Sequence, residues 1–153
     1  MKAVIQRVTN AKVDIDGQTV GQIDKGLLVY LSVGKGDSEK DAEFFAEKIT
    51  CLRIFPDEQD KMNRSVIDIG GSILLISNFT LHGNCQKGRR PGFDAAAEPK
   101  LAEQLYEKVI GLIKQKGVNI RAGVFAAHMH VSSTNNGPVT FILESNPVRE
   151  KDL

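Results

Sequence analysis

Seven residues, Leu27 to Val33 (LLVYLSV), are almost continuously apolar and end at Gly34-Lys35-Gly36. A strand with one wet face alternates apolar and polar residues, whereas one covered on both faces does not. The run is therefore expected as a short central strand, and the remaining elements must cover it on two sides.

The flanking patterns supply candidates for that cover. Residues 2 to 8 (KAVIQRV) are rich in β-branched side chains, and Val13 and Ile15 alternate with Lys12, Asp14 and Asp16 before an Asp16-Gly17 turn. This reads as a first strand entering a hairpin. Ser38 is placed to cap a helix in which Ala42, Phe45, Ala46, Ile49 and Leu52 follow helical spacing. Further strands are expected at Arg53 to Phe55 and Ser72 to Phe79, and residues 82 to 97 form the longest polar loop. Pro99 suits the first turn of a second helix with the stripe Leu101, Leu105, Val109, Leu112 and Ile113, ended by Gly117. A last pair of strands is expected near 125 to 134 and 139 to 144.

The resulting order, β-β-β-α-β-β-α-β-β, lacks the strict alternation of a doubly wound parallel sheet. The expected fold is α+β, a mainly antiparallel, barrel-like sheet with two packed helices. It forms one domain over residues 1–145, followed by a loosely held tail over 146–153.

Composition narrows the function. Lys and Arg total 20 against 19 Asp and Glu, a net charge of +1, so any contact with nucleic acid must be local. The chain carries neither an 18-residue apolar run nor a long apolar N-terminal segment, which argues against membrane insertion or secretion. Cys51 and Cys85 lack CxxC spacing and read as free thiols of a reducing, cytoplasmic compartment.

Three segments carry candidate chemistry. Ser77-Asn78-Phe79-Thr80-Leu81 puts hydroxyl and amide groups at the end of a strongly apolar strand, a rigid place from which to aim them. Taken alone, such groups more often cap or turn the chain. Asn135-Asn136-Gly137-Pro138 would ordinarily be a hairpin turn, although a Gly-Pro bond also admits the cis isomer. The loop Gln86 to Phe93 (QKGRRPGF) combines Lys87, Arg89 and Arg90 with an aromatic ring, suited to phosphates and a stacked base or simply to water.

Together with Ala3 to Thr9 (AVIQRVT), Arg53-Ile54-Phe55, Lys61-Met62-Asn63, Arg90-Pro91-Gly92-Phe93 and Val139-Thr140, these segments resemble the D-aminoacyl-tRNA deacylase family from Met1 to Glu144. Ser77 to Leu81 is similar to its Ser-Gln-Phe-Thr-Leu signature, and Asn135 to Pro138 to its Asn-x-Gly-Pro signature. The resemblance implies a carboxylic-ester hydrolase that removes D-amino acids from tRNA, as a homodimer, with no cofactor and no metal. It places Ser77, Phe79 and Thr80 at the reaction centre and Asn78 beside the substrate. It also implies that Gly137 and Pro138, in cis and braced by Arg7, reach into the partner's site and occupy the volume an L side chain would need. Phe125 and Met129 would line the pocket, their alternative being core packing. Lys87, Arg89 and Arg90 would meet the acceptor stem.

A site that selects by exclusion alone should also accept achiral glycine, so glycine mischarged on tRNA(Ala) is a second expected substrate. Backbone N–H groups near Phe79 and Thr80 would stabilise the oxyanion. A threonine nucleophile normally needs an adjacent base, and none is evident, His82 being the nearest histidine in sequence. Water helped by the tRNA 2′-hydroxyl is favoured instead. Asn78 departs from the family's glutamine and shortens its reach by one methylene; Asp60-Lys61 replaces a usual Gly-Lys turn. Two rival readings stand beside this one: a non-catalytic RNA-binding relic of the fold, and a metallohydrolase built on His128 and His130 with His82 or Cys85.

Overall fold

The computed structural model describes residues 1–145, and the tail expected after Ser145 lies outside them. Eight strands and two helices run in the order β1 (Lys2–Ile15), β2 (Gln18–Ile23), β3 (Gly26–Ser32), α1 (Glu39–Cys51), β4 (Phe55–Pro56), β5 (Met62–Arg64), β6 (Ser72–Ser77), α2 (Pro99–Gln115), β7 (Asn119–Ala122) and β8 (His130–Glu144).

The main sheet has the order β2-β1-β3-β6-β7, with β8 also paired to β1. Pairings of β1 with β2, β3 and β8 are antiparallel, as is the small β4–β5 ribbon. The β3–β6 and β6–β7 pairings are parallel. The sheet is thus mixed, and it curls until β2 packs against β6 and β7, giving a nearly closed, barrel-like wall.

β3 and β6 are buried on both faces, as the run of apolar residues requires. Leu27, Val29 and Leu31 join Ile5, Ile73, Leu75 and the helix residues Phe45, Ile49, Val109 and Ile113 in the larger core. Leu28 points the other way, with Leu74, Ile76, Val8 and Val13 in a second cluster inside the barrel wall. Each of these large side chains contributes roughly 1.5–3 kcal/mol on burial.

α1 starts at Ser38, whose N–H donates to the Asp41 carboxylate at 2.7 Å, closing one half of a capping box. α2 starts on Pro99 and ends before Gly117, whose φ of +79° lies in the left-handed region that a helix stop favours. Tyr106, 4% exposed, ties α2 to the sheet by donating its hydroxyl to the Leu75 carbonyl at 2.9 Å.

Three expectations need correction. The strand expected at Arg53–Phe55 is Phe55–Pro56, with a partner, Met62–Arg64, inside the stretch read as polar loop. The strand expected to run to Phe79 stops at Ser77, and Phe79–His82 forms a 3-10 turn. The expected final pair of strands is a single strand, β8, preceded by the short β7. β1 is long enough for Ala11 to Asp14 to pair with one half of β8 and Lys2 to Gln6 with the other, so the chain never reverses at Asn135-Pro138. Residues 125–129 are then free to form a loop.

Candidate active site

A cavity of about 640 Å³ opens where β3 and β6 end, beside the 3-10 turn, the 125–129 loop and the start of α2. Ser77, Asn78, Phe79, Thr80, Phe125 and Met129 all line it. The structure therefore brings six of the expected site residues around one volume.

Asn78 carries the chain out of β6 while its N–H still donates to the Leu31 carbonyl at 2.8 Å. The turn that follows leaves its leading N–H groups without intrahelical acceptors. Among the described residues the N–H groups of Phe79 and Thr80 have no hydrogen-bond acceptor, while those of Leu81 and Gly83 return to Asn78 and Thr80. Two donors are thus left at the cavity edge.

Thr80 Oγ1 donates to Asn78 Oδ1 at 2.6 Å. An amide oxygen is a good acceptor but a very weak base, so this bond orients the hydroxyl without activating it as a nucleophile. The shorter side chain at 78 suffices for the contact.

Phe125 packs on the larger core and against Tyr106, ring centroids 6.1 Å apart, while Met129 packs on the second cluster. Both are at once core residues and cavity wall. Between them Ala126 adopts φ +63°, an uncommon conformation for a residue with a Cβ. Tyr30 also faces the cavity, and burial raises its phenol above the usual value, so it remains a donor.

Arg7, Gly137 and Pro138 form a second constellation that does not line this cavity. β1 pairs Gln6 with Thr140 and Val8 with Asn135, so the residues between them on β8 loop out as a wide bulge. Arg7 Nε donates to the Asn136 carbonyl at 3.1 Å and Nη1 to the Ile54 carbonyl at 2.9 Å. The Asn135 amide donates to the Arg7 and Val139 carbonyls, both at 3.0 Å. Gly137 and Pro138 stand exposed at the crest, joined by a cis peptide.

Lys87, Arg89 and Arg90 are exposed at the tip of a loop and do not reach the cavity wall. The loop is closed at its base by reciprocal Asn84–Gly92 backbone bonds of 2.7 and 2.9 Å. Phe93 then packs edge-on against Phe79, centroids 5.1 Å apart, which ties the basic tip to the cavity mouth.

The histidines divide. His128 and His130 bring their Nε2 atoms to 3.3 Å, but among the described residues no three His, Cys, Asp or Glu side chains gather into a metal-binding group. His82 lies elsewhere, with Nδ1 2.6 Å from Ser32 Oγ, and Ser32 is 2% exposed on the cavity wall. Sequence reasoning missed Ser32, whose only signal was a hydroxyl inside an otherwise apolar central strand. Burial lowers the His82 pKa, and the Met1 ammonium and Lys2 lower it further.

The family model described as D-Tyr-tRNA(Tyr) deacylase matches residues 4–144. A D-aminoacyl-tRNA deacylase of Clostridioides difficile (strain 630) is 55% identical over 95% of this chain and 98% of its own length. One of Geotalea uraniireducens (strain Rf4) is 55% identical over 99% and 97%. Among solved structures, a c-Myc DNA unwinding element binding protein superposes with TM-score 0.90 at 38% identity, covering 96% of this chain and all of that one. A probable eukaryotic D-amino acid tRNA deacylase shares the fold, with TM-score 0.78 at 14% identity, over 93% and 97%. With Ser77 to Thr80 gathered around one cavity, the match places the chain in the D-Tyr-tRNA(Tyr) deacylase family, hydrolases of the ester that joins a D-amino acid to tRNA.

Proposed function

We propose that the chain works in the cytoplasm as a homodimer that clears D-aminoacyl-tRNA, and tRNA(Ala) mischarged with glycine, while refusing L-aminoacyl esters. The observation that carries this reading is the braced bulge of β8. Gly137 and Pro138 are held out from the sheet by Arg7 and Asn135, yet they do not line the cavity beside the 3-10 turn of their own chain. Such a backbone feature gains a purpose if it enters the cavity of a second copy. The neighbouring surface supports that packing: among the described residues β8 pairs only with β1, and Phe141 and Ile142 are 41% and 74% exposed.

In this reading the terminal adenosine and its aminoacyl group enter the cavity between Phe79 and Phe125, and Lys87, Arg89 and Arg90 meet acceptor-stem phosphates. The partner's Gly137-Pro138 backbone fills the space beside the α-carbon that an L side chain needs. A D side chain points away from it, and glycine has none. Water, oriented by the 2′-hydroxyl of the tRNA, attacks the ester carbonyl. The free N–H groups of Phe79 and Thr80 bind the oxyanion, a contribution of roughly 3–4 kcal/mol per donor where it has been dissected.

The test pairs mass with the smallest side-chain difference available. Light scattering should return twice the chain's 16.8 kDa. Glycyl-tRNA should be hydrolysed and L-alanyl-tRNA spared, since a single methyl group would meet the partner's backbone. A monomer that retains this selectivity, or equal hydrolysis of both esters, would overturn the proposal.

A further inference from the structure

We infer that Ser32 and His82 are positioning residues for deacylation: their hydrogen bond latches the turn that carries Phe79 and Thr80 onto the end of β3. The inference rests on the proposed reading of that turn as the oxyanion-binding element.

The latch is built from several directions. Ser32 Oγ lies 2.6 Å from His82 Nδ1 and 3.4 Å from the Phe79 carbonyl. One buried hydroxyl therefore touches both ends of the Phe79–His82 turn, and a buried polar group must find such partners to avoid a desolvation cost. Ser32 and Asn78 directly follow Leu31 and Ser77, the last paired residues of β3 and β6. Both side chains line the cavity, so the latch sits beside the Asn78–Thr80 bond.

Gly34 makes room for the ring. A Cβ at this position would lie 2.6 Å from His82 Nε2 and 3.3 Å from Asp37 Oδ2. Asp37 in turn accepts the Gly34 N–H at 2.6 Å and faces the Met1 ammonium at 2.5 Å. The imidazole is thereby held edge-on between the end of β3 and the turn. Neither Ser32 nor His82 belongs to the signatures that mark the family resemblance, and neither carries a free base toward the ester. Their effect is on where two N–H groups point, which matters in the transition state more than in binding.

The test is steady-state hydrolysis of D-tyrosyl-tRNA by the full chain, with folded fractions set by thermal melts. Ser32→Ala and His82→Phe should each lower kcat about tenfold with KM within about twofold. The double variant should be no worse than Ser32→Ala alone, because that change already removes the bond the two residues share. His82→Asn, whose amide falls near the Nδ1 position, should recover most of the loss. Gly34→Ala, which displaces the ring and touches neither partner atom, should reproduce the His82→Phe defect. Unchanged kcat in the folded variants, additive losses, or a His82→Asn variant no better than His82→Phe would overturn the inference. Should Ser32→Ala fail to fold, His82→Asn against Gly34→Ala decides it. Amide NMR shifts of Phe79 and Thr80 give a readout without turnover: they should move in Gly34→Ala and hold in His82→Asn. If wild type is inactive yet the shifts behave so, the latch stands and the substrate reading falls.

Discussion

Arg7 offers a perturbation whose size follows from the structure. Its guanidinium makes two donations, to Asn136 O at 3.1 Å and to Ile54 O at 2.9 Å, the first exposed and the second partly buried. Only the first ends on the bulge, and it holds that backbone with about 1 kcal/mol, while the second anchors the guanidinium. Asn135 keeps its own two donations, so Arg7→Ala loosens the bulge without collapsing it. If the braced backbone is what excludes L residues, loosening it should raise L-tyrosine release by up to about fivefold, the equivalent of about 1 kcal/mol. D-tyrosine release should stay within about twofold, because Arg7 is absent from the cavity wall. Arg7→Lys should fall between, since one ammonium cannot span both carbonyls as the fork does. The assay is single-turnover release of labelled tyrosine from the two charged tRNAs. If Arg7→Ala slows D release while L release stays at the spontaneous rate, the bracing argument is refuted.

Other outcomes follow from individual contacts. Tyr106→Phe removes a buried hydroxyl from Leu75 O, but that carbonyl still accepts the Gly123 N–H at 3.2 Å. The cost should stay near ~1 kcal/mol, a fall of roughly 2–4 °C in Tm by calorimetry. His82 ordinarily titrates at 6.5 and is lowered in the fold, first by burial and then by the Met1 ammonium and Lys2, with Asp37 and Glu144 opposing. The unfolded chain then binds the extra proton first, so the stability tied to His82 is present above pH 6.5 and lost as pH falls below it. Melts should decline in that window less in His82→Asn than in wild type. Asp57 and Asp68, held below their ordinary 3.8 chiefly by hydrogen bonds to Asn63 and Ser65, add their loss only at lower pH. Replacing Arg89 and Arg90 together with Ala should raise KM and flatten its salt dependence, with kcat little changed.

What was legible in the sequence was whatever a local pattern expresses. Leu27 to Val33 announced a strand buried on both faces, and the stripes after Ser38 and Pro99 announced two helices, because burial periodicity is written in consecutive residues. β5 and β7, at three and four residues, are too short to show a period. The unity of β8 could not be read locally either, since it depends on β1 being long enough to pair with both of its halves. The site divides the same way. Ser77 to Thr80 lie on one short segment, and the family resemblance found them. That Arg7 braces Asn136 is a contact across 129 positions, visible in sequence only through the resemblance. Ser32 carried no pattern at all: its hydroxyl acquires meaning only when the turn brings His82 beside it.

In the proposed mechanism chirality is read by exclusion, at a site that uses protein donors and water. The most direct measurement is release of D-tyrosine and L-tyrosine from their tRNAs in EDTA, by wild type and by Asn78→Gln side by side. Rapid release of D-tyrosine alone by wild type is the predicted result, with Asn78→Gln changing the rate but not the selectivity. Release of both enantiomers, loss of activity in EDTA, or inactivity of wild type relieved by Asn78→Gln would contradict it.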